Sequence, residues 1–300
     1  AGARARRPPP VFAEINMSGE YGLYAAVGTA ALGFVSGTLI SRLFSTVPPK
    51  LRGIRLHVYE FCPFCVRVQL VLGWKNIPYE IKAHGYGDAL GDDDAIANKG
   101  AYQSSTYLTG KKGLPVLELA DGAMIPESGD IIAFLEDATG PGNILLPPPS
   151  GRADLRTFFA YGGDFANLLK ALAYPRLLRM THMKSMSGQG DREYFRRRFD
   201  NQNGFSLAAA EAADSENKEK MERLLVELDG LLRTEDSFND GACGLTMDDV
   251  MYLPNLKTLS CVDGLRWPTR LRRYADASFA AAGPNVHLDF DWEKDFPSAV

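Results

Sequence analysis

Two cysteines three positions apart, Cys62 and Cys65, are the residues of this sequence best suited to carry chemistry. They flank Pro63 and Phe64, at the point where a predicted strand gives way to a predicted helix. Thiols at this spacing lie on one side of the first helical turn, close enough to form a disulfide. Free amide groups at a helix N-terminus stabilise a thiolate, most strongly at the first cysteine. We therefore predict an exposed, acidic Cys62 and a more buried Cys65 that resolves a mixed disulfide.

Zinc binding and a catalytically silent relic are the alternative uses of such a pair. A zinc site needs further ligands at characteristic spacing. The four histidines, at 57, 84, 182 and 287, are scattered along the sequence, and no second cysteine pair occurs. Cys243 and Cys261 have no neighbouring cysteine and are expected to be inert or buried. The pattern favours redox chemistry, and no metal site is predicted.

Two further motifs have the chemistry of a binding site. Leu114-Pro115 follows a Gly-containing segment and opens a predicted strand, so it is either a cis peptide bond that turns backbone groups towards a ligand or an ordinary edge-strand proline. Glu127-Ser128 precedes an amphipathic helix. The helix amides and the Ser128 hydroxyl suit a carboxylate, and Glu127 suits an ammonium group; a plain helix cap is the alternative.

The stretches around these motifs predict a layered α/β domain. The predicted strands are 54–59, 78–82, 115–119 and 123–125, and the predicted helices are 63–75 and 128–138. Residues 83–113 are rich in Gly, Asp and Ser, and we expect one helix with an insertion there. The order β-α-β-α-β-β-α is that of a thioredoxin-like domain.

Helical patterns dominate the rest of the chain. The predicted helices are 155–180, 192–198, 218–232, 246–260 and 269–281, and Thr246 with Asp249 forms a capping box. The resulting division is an N-terminal extension at 1–20, a transmembrane helix at 21–44, a linker at 45–53, an α/β domain at 54–139, a second linker at 140–151, an all-α domain at 152–286 and a tail at 287–300.

The chain resembles the large two-domain glutaredoxins, whose fold is that of glutathione transferases. The resemblance covers about residues 54–286 and rests on co-linear motifs: Phe61-Cys62-Pro63-Phe64-Cys65, Lys75-Asn76-Ile77-Pro78, Leu114-Pro115-Val116-Leu117, Pro126-Glu127-Ser128, Tyr174-Pro175-Arg176, Asp248-Asp249 and Trp267-Pro268-Thr269-Arg270. It implies that Cys62 is the nucleophile and Cys65 the resolving thiol. It also implies that glutathione binds at Leu114, Pro115, Glu127 and Ser128 and donates electrons to glutathionylated or disulfide substrates.

Two features depart from this family. Residues 85–107 carry an apparent insertion beside the predicted thiol site, and the N-terminal hydrophobic segment has no counterpart in the bacterial type. A membrane-associated prostaglandin synthase shares a hydrophobic N-terminal segment and a Cys-Pro-Phe-Cys motif on the same fold. It is a weaker match through the all-α domain and is kept as a minor alternative.

The hydrophobic segment predicts a membrane anchor. Tyr21–Ser41 holds 21 residues without a charge, and a helix of that length spans roughly 31 Å, the thickness of a bilayer core. Gly22, Ala26 and Ala30 recur four apart and leave a flat strip for close helix packing. We predict that this helix contacts lipid and the transmembrane helices of a membrane complex. A buried soluble helix and an uncleaved signal-like segment are the alternatives.

Net charge, cysteine count and the distribution of basic residues indicate the cellular location of the chain and the kinds of partner it has. The net charge of −4 gives no reason to expect a nucleic-acid partner, and four cysteines are too few for a disulfide scaffold. The Arg-rich start and the basic residues after the segment favour a single-pass protein of an organelle membrane with its domains on the reducing side. A thylakoid, with the domains in the stroma, is preferred to a mitochondrial inner membrane and matrix.

The sequence leaves two functions open. The chain is either an anchored glutathione-dependent oxidoreductase within a membrane complex, or a non-catalytic accessory subunit of a photosynthetic or respiratory complex.

Overall fold

The computed structural model describes residues 47–87, 105–140, 151–235, 237–239 and 245–290, and residues 45–300 form one compact unit. Several predicted features lie outside the described residues: the extension at 1–20, the transmembrane helix at 21–44, most of the insertion, the linker residues 141–150, Cys243 and the end of the tail. Across the described ranges, no helix combines the length and the apolar character needed to cross a bilayer.

A four-stranded mixed sheet forms the α/β domain. Its strands are β1 (Arg55–Val58), β2 (Glu80–Ala83), β3 (Val116–Glu118) and β4 (Met124–Pro126). The order is β2-β1-β3-β4, with β2 parallel to β1 and the other two pairs antiparallel. Parallel neighbours need a crossover, and helix α1 (Pro63–Trp74) supplies it. Each strand lies within two residues of its predicted bounds.

Helix α1 is apolar on nearly all sides because it is packed from both domains. Val66, Val68 and Leu70 to Leu72 are buried, as expected of a helix inside a core. The domain contact is close at its C-terminal end: a Cβ added at Gly73 would lie 1.9 Å from Ala282 O. The indole of Trp74 donates to Ser278 O at 2.9 Å. The helix that begins at the two cysteines is therefore fixed by the all-α domain at its other end.

The remaining helices belong mostly to the all-α domain. In the α/β domain they are α2 (Thr106–Thr109) and α3 (Ser128–Thr139). In the all-α domain they are α4 (Ala153–Phe158), α5 (Asp164–Leu177), α6 (Lys184–Ser187), α7 (Gln189–Phe199), α8 (Leu207–Ala212), α9 (Asp214–Leu231), α10 (Met247–Leu259) and α11 (Thr269–Ala281).

The prediction of one helix over 155–180 is wrong. The chain forms α4 and α5 instead, separated at Gly162, whose φ of +77° is a left-handed conformation that glycine adopts without strain. The sequence does not predict the short helices α6 and α8, because segments of four and six residues carry little periodicity.

Both ends of the described chain pack into the core. The predicted linker at 45–53 contains the short 3₁₀ helix Pro49–Leu51, and Leu51 is fully buried. Leu288 and Phe290, in the predicted tail, are also buried. Apolar side chains in segments of irregular backbone thus extend the core beyond the predicted domain limits.

Candidate active site

Cys62 lies between β1 and α1, as the N-cap residue of the helix. Its N–H donates to Tyr59 O at 3.0 Å, which closes a turn directly after the strand. Pro63 occupies the first helical position, where no backbone donor is needed. The side chain is half-buried rather than exposed as predicted, because Phe61 and the loop around Leu114 pack beside it.

The surroundings of Cys62 hold its pKa below the ordinary value for a thiol. The largest cause is a hydrogen bond with the Cys65 side chain. Backbone N–H groups of Cys65 and Phe64 and the positive charge of Arg67 act in the same direction, against partial burial, which raises the pKa. These are the contributions expected at a helix N-terminus. The predicted acidity of Cys62 agrees with this geometry.

Cys65 has the opposite character. It is fully buried in the first turn of α1, and burial raises its pKa well above the ordinary value, with the hydrogen bond to Cys62 adding to the effect. It therefore remains a thiol where Cys62 ionises. No disulfide joins the two cysteines in this structure.

The Leu114–Pro115 peptide bond is cis, the first of the two alternatives that the sequence left open. The carbonyl oxygen of Leu114 lies 3.8 Å from Cys62 Sγ. Leu114 itself is buried at 8% exposure and Pro115 is also buried. The residue before the proline thus presents its backbone to the thiol.

Glu127 and Ser128 begin helix α3. Glu127 is exposed and has a φ of +67°, an uncommon conformation for a residue with a side chain. Ser128 is buried at 6% exposure. No side-chain hydrogen bond caps this helix among the described residues, so the amide groups of its first turn remain available to a ligand.

The register of the sheet explains why these residues meet at one edge. His57 in β1 pairs with Val116 in β3, and Val116 pairs with Pro126 in β4. The chain leaves the sheet at this edge in three places: after β1 towards Cys62, before β3 at Leu114-Pro115, and after β4 at Glu127-Ser128. A thiol, the backbone before a cis proline and a helix N-terminus therefore lie at the same end of the sheet, an arrangement that suits an extended peptide-like ligand with a carboxylate.

Both domains of the chain are similar in sequence to domains of known proteins. A sequence profile of the glutathione S-transferase N-terminal domain matches residues 56–143, and a profile of the glutaredoxin 2 C-terminal domain matches residues 160–288. The chain therefore combines a glutathione S-transferase-like N-terminal domain with a C-terminal domain similar to that of glutaredoxin 2. The family resemblance predicted from the sequence, with its transferase-like fold, is thereby confirmed.

Individual glutaredoxin 2 proteins align over most of the chain. Glutaredoxin 2 of Escherichia coli K12 is 27% identical over 223 residues, which cover 74% of this chain and 93% of the relative. The crystal structure of glutaredoxin 2 from Salmonella typhimurium in complex with glutathione superposes with a TM-score of 0.64 at 24% identity, covering 78% of this chain and 96% of that one. The relatives support the predicted enzyme class, a glutathione-dependent oxidoreductase.

Sequence reasoning missed two groups of residues in the α/β domain and at its contact with the all-α domain. The histidines that are scattered in sequence include a contacting pair: His57 Nδ1 lies 2.8 Å from His84 Nε2, and His57 Nε2 lies 2.9 Å from Glu118 Oε2. Within the described ranges, no three potential metal ligands converge. The second group comprises Tyr86, Lys112 and Asp191, which join the two domains beside Phe61. Only the spacing Gly85-Tyr86-Gly87 signals it in the sequence.

Proposed function

We propose that this chain is a glutathione-dependent thiol–disulfide oxidoreductase in which Cys62 is the nucleophile and Cys65 the resolving thiol. The observation that carries the proposal is the contrast between the two cysteines. Cys62 is half-buried at the N-cap of α1 with a lowered pKa, whereas Cys65 is buried with a raised pKa. The thiolate is the attacking species in disulfide exchange, so the pair is ordered for attack by Cys62.

In the proposed reaction the Cys62 thiolate attacks the glutathione sulfur of a mixed disulfide. The sulfur–sulfur bond of the substrate breaks, the substrate leaves as a thiolate, and Cys62 becomes bonded to glutathione. A second glutathione thiolate then attacks the glutathione sulfur of this intermediate. Oxidised glutathione leaves, formed from the incoming glutathione and the glutathionyl group of the substrate, and Cys62 returns to its thiolate.

Cys65 provides a second route for protein disulfides. Attack by Cys62 on such a substrate gives a mixed disulfide between Cys62 and the protein. Cys65, after losing its proton, attacks Cys62 Sγ and releases the reduced protein, which leaves a Cys62–Cys65 disulfide. Burial keeps Cys65 protonated in the reduced enzyme, so it does not compete with Cys62 for the first attack.

Glutathione is proposed to lie along Leu114, Pro115, Glu127 and Ser128. The backbone of Leu114 suits the central cysteinyl residue, since its carbonyl faces Cys62 Sγ at 3.8 Å. The uncapped start of α3 suits the γ-glutamyl carboxylate, and the exposed Glu127 suits the ammonium group. The glutathione bound in the Salmonella relative supports the choice of ligand.

The test is turnover of the mixed disulfide of glutathione and 2-mercaptoethanol by the chain and by its cysteine variants. Cys62→Ser is expected to lose activity by on the order of 10³-fold or more. Cys65→Ser is the matched control, because the two-glutathione route does not use Cys65, and it is expected to retain turnover. An inactive wild-type chain with both thiols verified as reduced would refute the proposal.

We further propose, from the uncharged length of Tyr21–Ser41, that a helix at 21–44 anchors the enzyme in an organelle membrane with the domains on the reducing side. A photosynthetic or respiratory complex would then be its partner, through that helix and the surrounding lipid. The non-catalytic accessory subunit is the competing function. Alkaline washing of membranes from cells that express the whole chain tests the anchor: release into the wash contradicts it. Sizing of the detergent extract then separates a complex from a free monomer.

A further inference from the structure

A short turn after β2, Gly85–Gly87, is held by the all-α domain beside the thiol site. We name it the tyrosine turn, after Tyr86 at its centre. Asp191 in α7 is buried at 1% exposure, and its Oδ1 accepts the Gly87 N–H at 2.5 Å while Oδ2 accepts the Gly188 N–H at 3.0 Å. The N–H of Tyr86 donates to Ser185 O at 3.0 Å.

Both glycines of the tyrosine turn are required by Asp191. A Cβ added at Gly85 would lie 2.8 Å from Asp191 Oδ1, and one added at Gly87 would lie 2.9 Å from the same atom. Neither residue has a positive φ, so the requirement is one of space rather than of backbone conformation. The carboxylate approaches the turn this closely only because both flanking side chains are absent.

The Tyr86 ring lies between the segment Tyr59–Phe61, which precedes Cys62, and helix α7. Its centroid lies 5.0 Å from that of Tyr59 and 5.1 Å from that of Phe61, the residue before Cys62. On the side of α7 it lies 5.4 Å from Tyr194 and 5.8 Å from Phe195. Tyr86 is half-buried among these rings, and burial raises the pKa of its hydroxyl.

Lys112 connects the tyrosine turn to the segment that leads to Leu114. Its Nζ donates to Tyr86 O at 2.5 Å and lies 3.2 Å from the centroid of the Tyr194 ring. It also lies 4.6 Å from the centroid of the Tyr86 ring. Lys112 is two residues before Leu114, whose carbonyl faces Cys62. The same cluster therefore touches the segments on both sides of the thiol.

We propose that Asp191 is a positioning residue that holds the tyrosine turn, and that Tyr86 is a specificity-determining residue that closes the side of Cys62 facing the all-α domain. This rests on the proposed function and deepens it. With that side closed, substrates reach Cys62 across the Leu114 and Glu127 side. A glutathionyl group fits there, whereas a bulky aromatic group beside the sulfur is excluded by the Tyr86 ring.

The experiment compares alkylation of Cys62 by iodoacetamide and by N-(1-pyrenyl)maleimide, with peptide mass analysis to identify the labelled cysteine. Tyr86→Ala is expected to raise the rate with the bulky reagent relative to the small one by about tenfold. Tyr86→Phe keeps the ring and is expected to leave the ratio unchanged. An unchanged ratio in Tyr86→Ala would overturn the proposal, and Tyr86→Leu makes the same test if the alanine variant does not fold.

The role of Asp191 is tested by a second set of variants. Asp191→Ala is expected to raise the same ratio, and Asp191→Asn, which retains an acceptor oxygen for Gly87, is expected to restore most of the wild-type value. Gly87→Ala is expected to raise the ratio of the two alkylation rates when Asp191 is present. In the Asp191→Ala background it is expected to cause no further change, because the added methyl group clashes with the carboxylate. Additive effects of these two substitutions would contradict the proposal. Since alkylation needs no turnover, an inactive wild-type chain would refute the proposed function while leaving this test intact.

Discussion

Two helices of this molecule use the donors at their N-termini in opposite ways. At α1 the N-cap is Cys62, and no side-chain hydrogen bond caps the helix among the described residues. At α10 the N-cap is Thr246, which forms a capping box with Asp249. A helix N-terminus presents unpaired N–H groups and a positive electrostatic potential in either case. At α1 these groups lower the pKa of the Cys62 thiol, whereas α10 is closed by its own capping box.

At the start of α10, the carboxylate of Asp249 accepts several hydrogen bonds. Asp249 is fully buried, and its carboxylate accepts the Thr246 N–H at 2.5 Å and the Tyr274 hydroxyl at 2.5 Å. It also accepts the Thr246 hydroxyl, the Ser237 hydroxyl and the Phe238 N–H. One carboxylate thus joins α10, α11 and the segment before α10. The start of α1 therefore has no side-chain cap beside the thiol of Cys62, whereas the start of α10 is capped and stabilises the fold.

The largest predicted effect is therefore on stability and lies at α10. Asp249→Ala leaves several buried donors without an acceptor, and we expect it to lower the free energy of unfolding by about 3–5 kcal/mol. Cys62→Ser, which removes the nucleophile, is expected not to lower it, because serine is a favoured N-cap residue. Denaturant titrations of the two variants measure both values.

Asp276→Ala is the matched control for the loss of a carboxylate. Asp276 pairs with Arg272 on the surface at 3.0 Å, and removal of an exposed pair is expected to cost less than about 1 kcal/mol. If Cys62→Ser proved as destabilising as Asp249→Ala, the contrast between a reactive and a structural N-terminus would be lost.

A second prediction concerns the source of the Cys62 acidity. The Cys65 thiol makes the largest contribution to the lowered pKa of Cys62. Cys65→Ala removes this donor, and we expect the pKa of Cys62 to rise, whereas Cys65→Ser retains a hydroxyl donor and is expected to stay closer to the wild type. A lowered pKa means that the thiolate persists as the pH falls below the ordinary titration range of a thiol. The alkylation rate of Cys62 as a function of pH measures the shift; coincident profiles for the two variants would assign the acidity to the backbone amides instead.

Local features of the fold are predictable from the sequence because neighbouring residues determine them. The four strands, the start of α1 at Pro63 and the capping box of Thr246 and Asp249 all follow from short patterns. The cis bond at Leu114–Pro115 is one of two alternatives that the sequence offers. The break between α4 and α5 is also encoded locally, in Gly162-Gly163, although the apolar periodicity on both sides obscures it.

Contacts between distant segments are not predictable in this way. Gly87 and Asp191 are 104 residues apart, and His57 and His84 are 27 apart. An aspartate in a polar helix and a Gly-Tyr-Gly triplet each have many ordinary explanations in a sequence. They come together only because α7 packs against Phe61, the residue before Cys62, through Phe195.

The smallest predicted effect concerns a third N-terminus, that of α3. Like α1 it has no side-chain cap among the residues described, and we propose that its donors and the Ser128 hydroxyl hold the glutamyl carboxylate of glutathione. Ser128→Ala removes one hydrogen bond to the ligand, so the KM for glutathione is expected to rise about two- to tenfold with kcat and the pKa of Cys62 unchanged. Ser206→Ala is the control, because Ser206 caps α8 through Ala209 N at 3.4 Å and its loss is expected to leave KM unchanged. A Ser128→Ala variant with an unchanged KM and a lowered melting temperature would contradict this proposal. It would show that the start of α3, like that of α10, contributes to stability and not to glutathione binding.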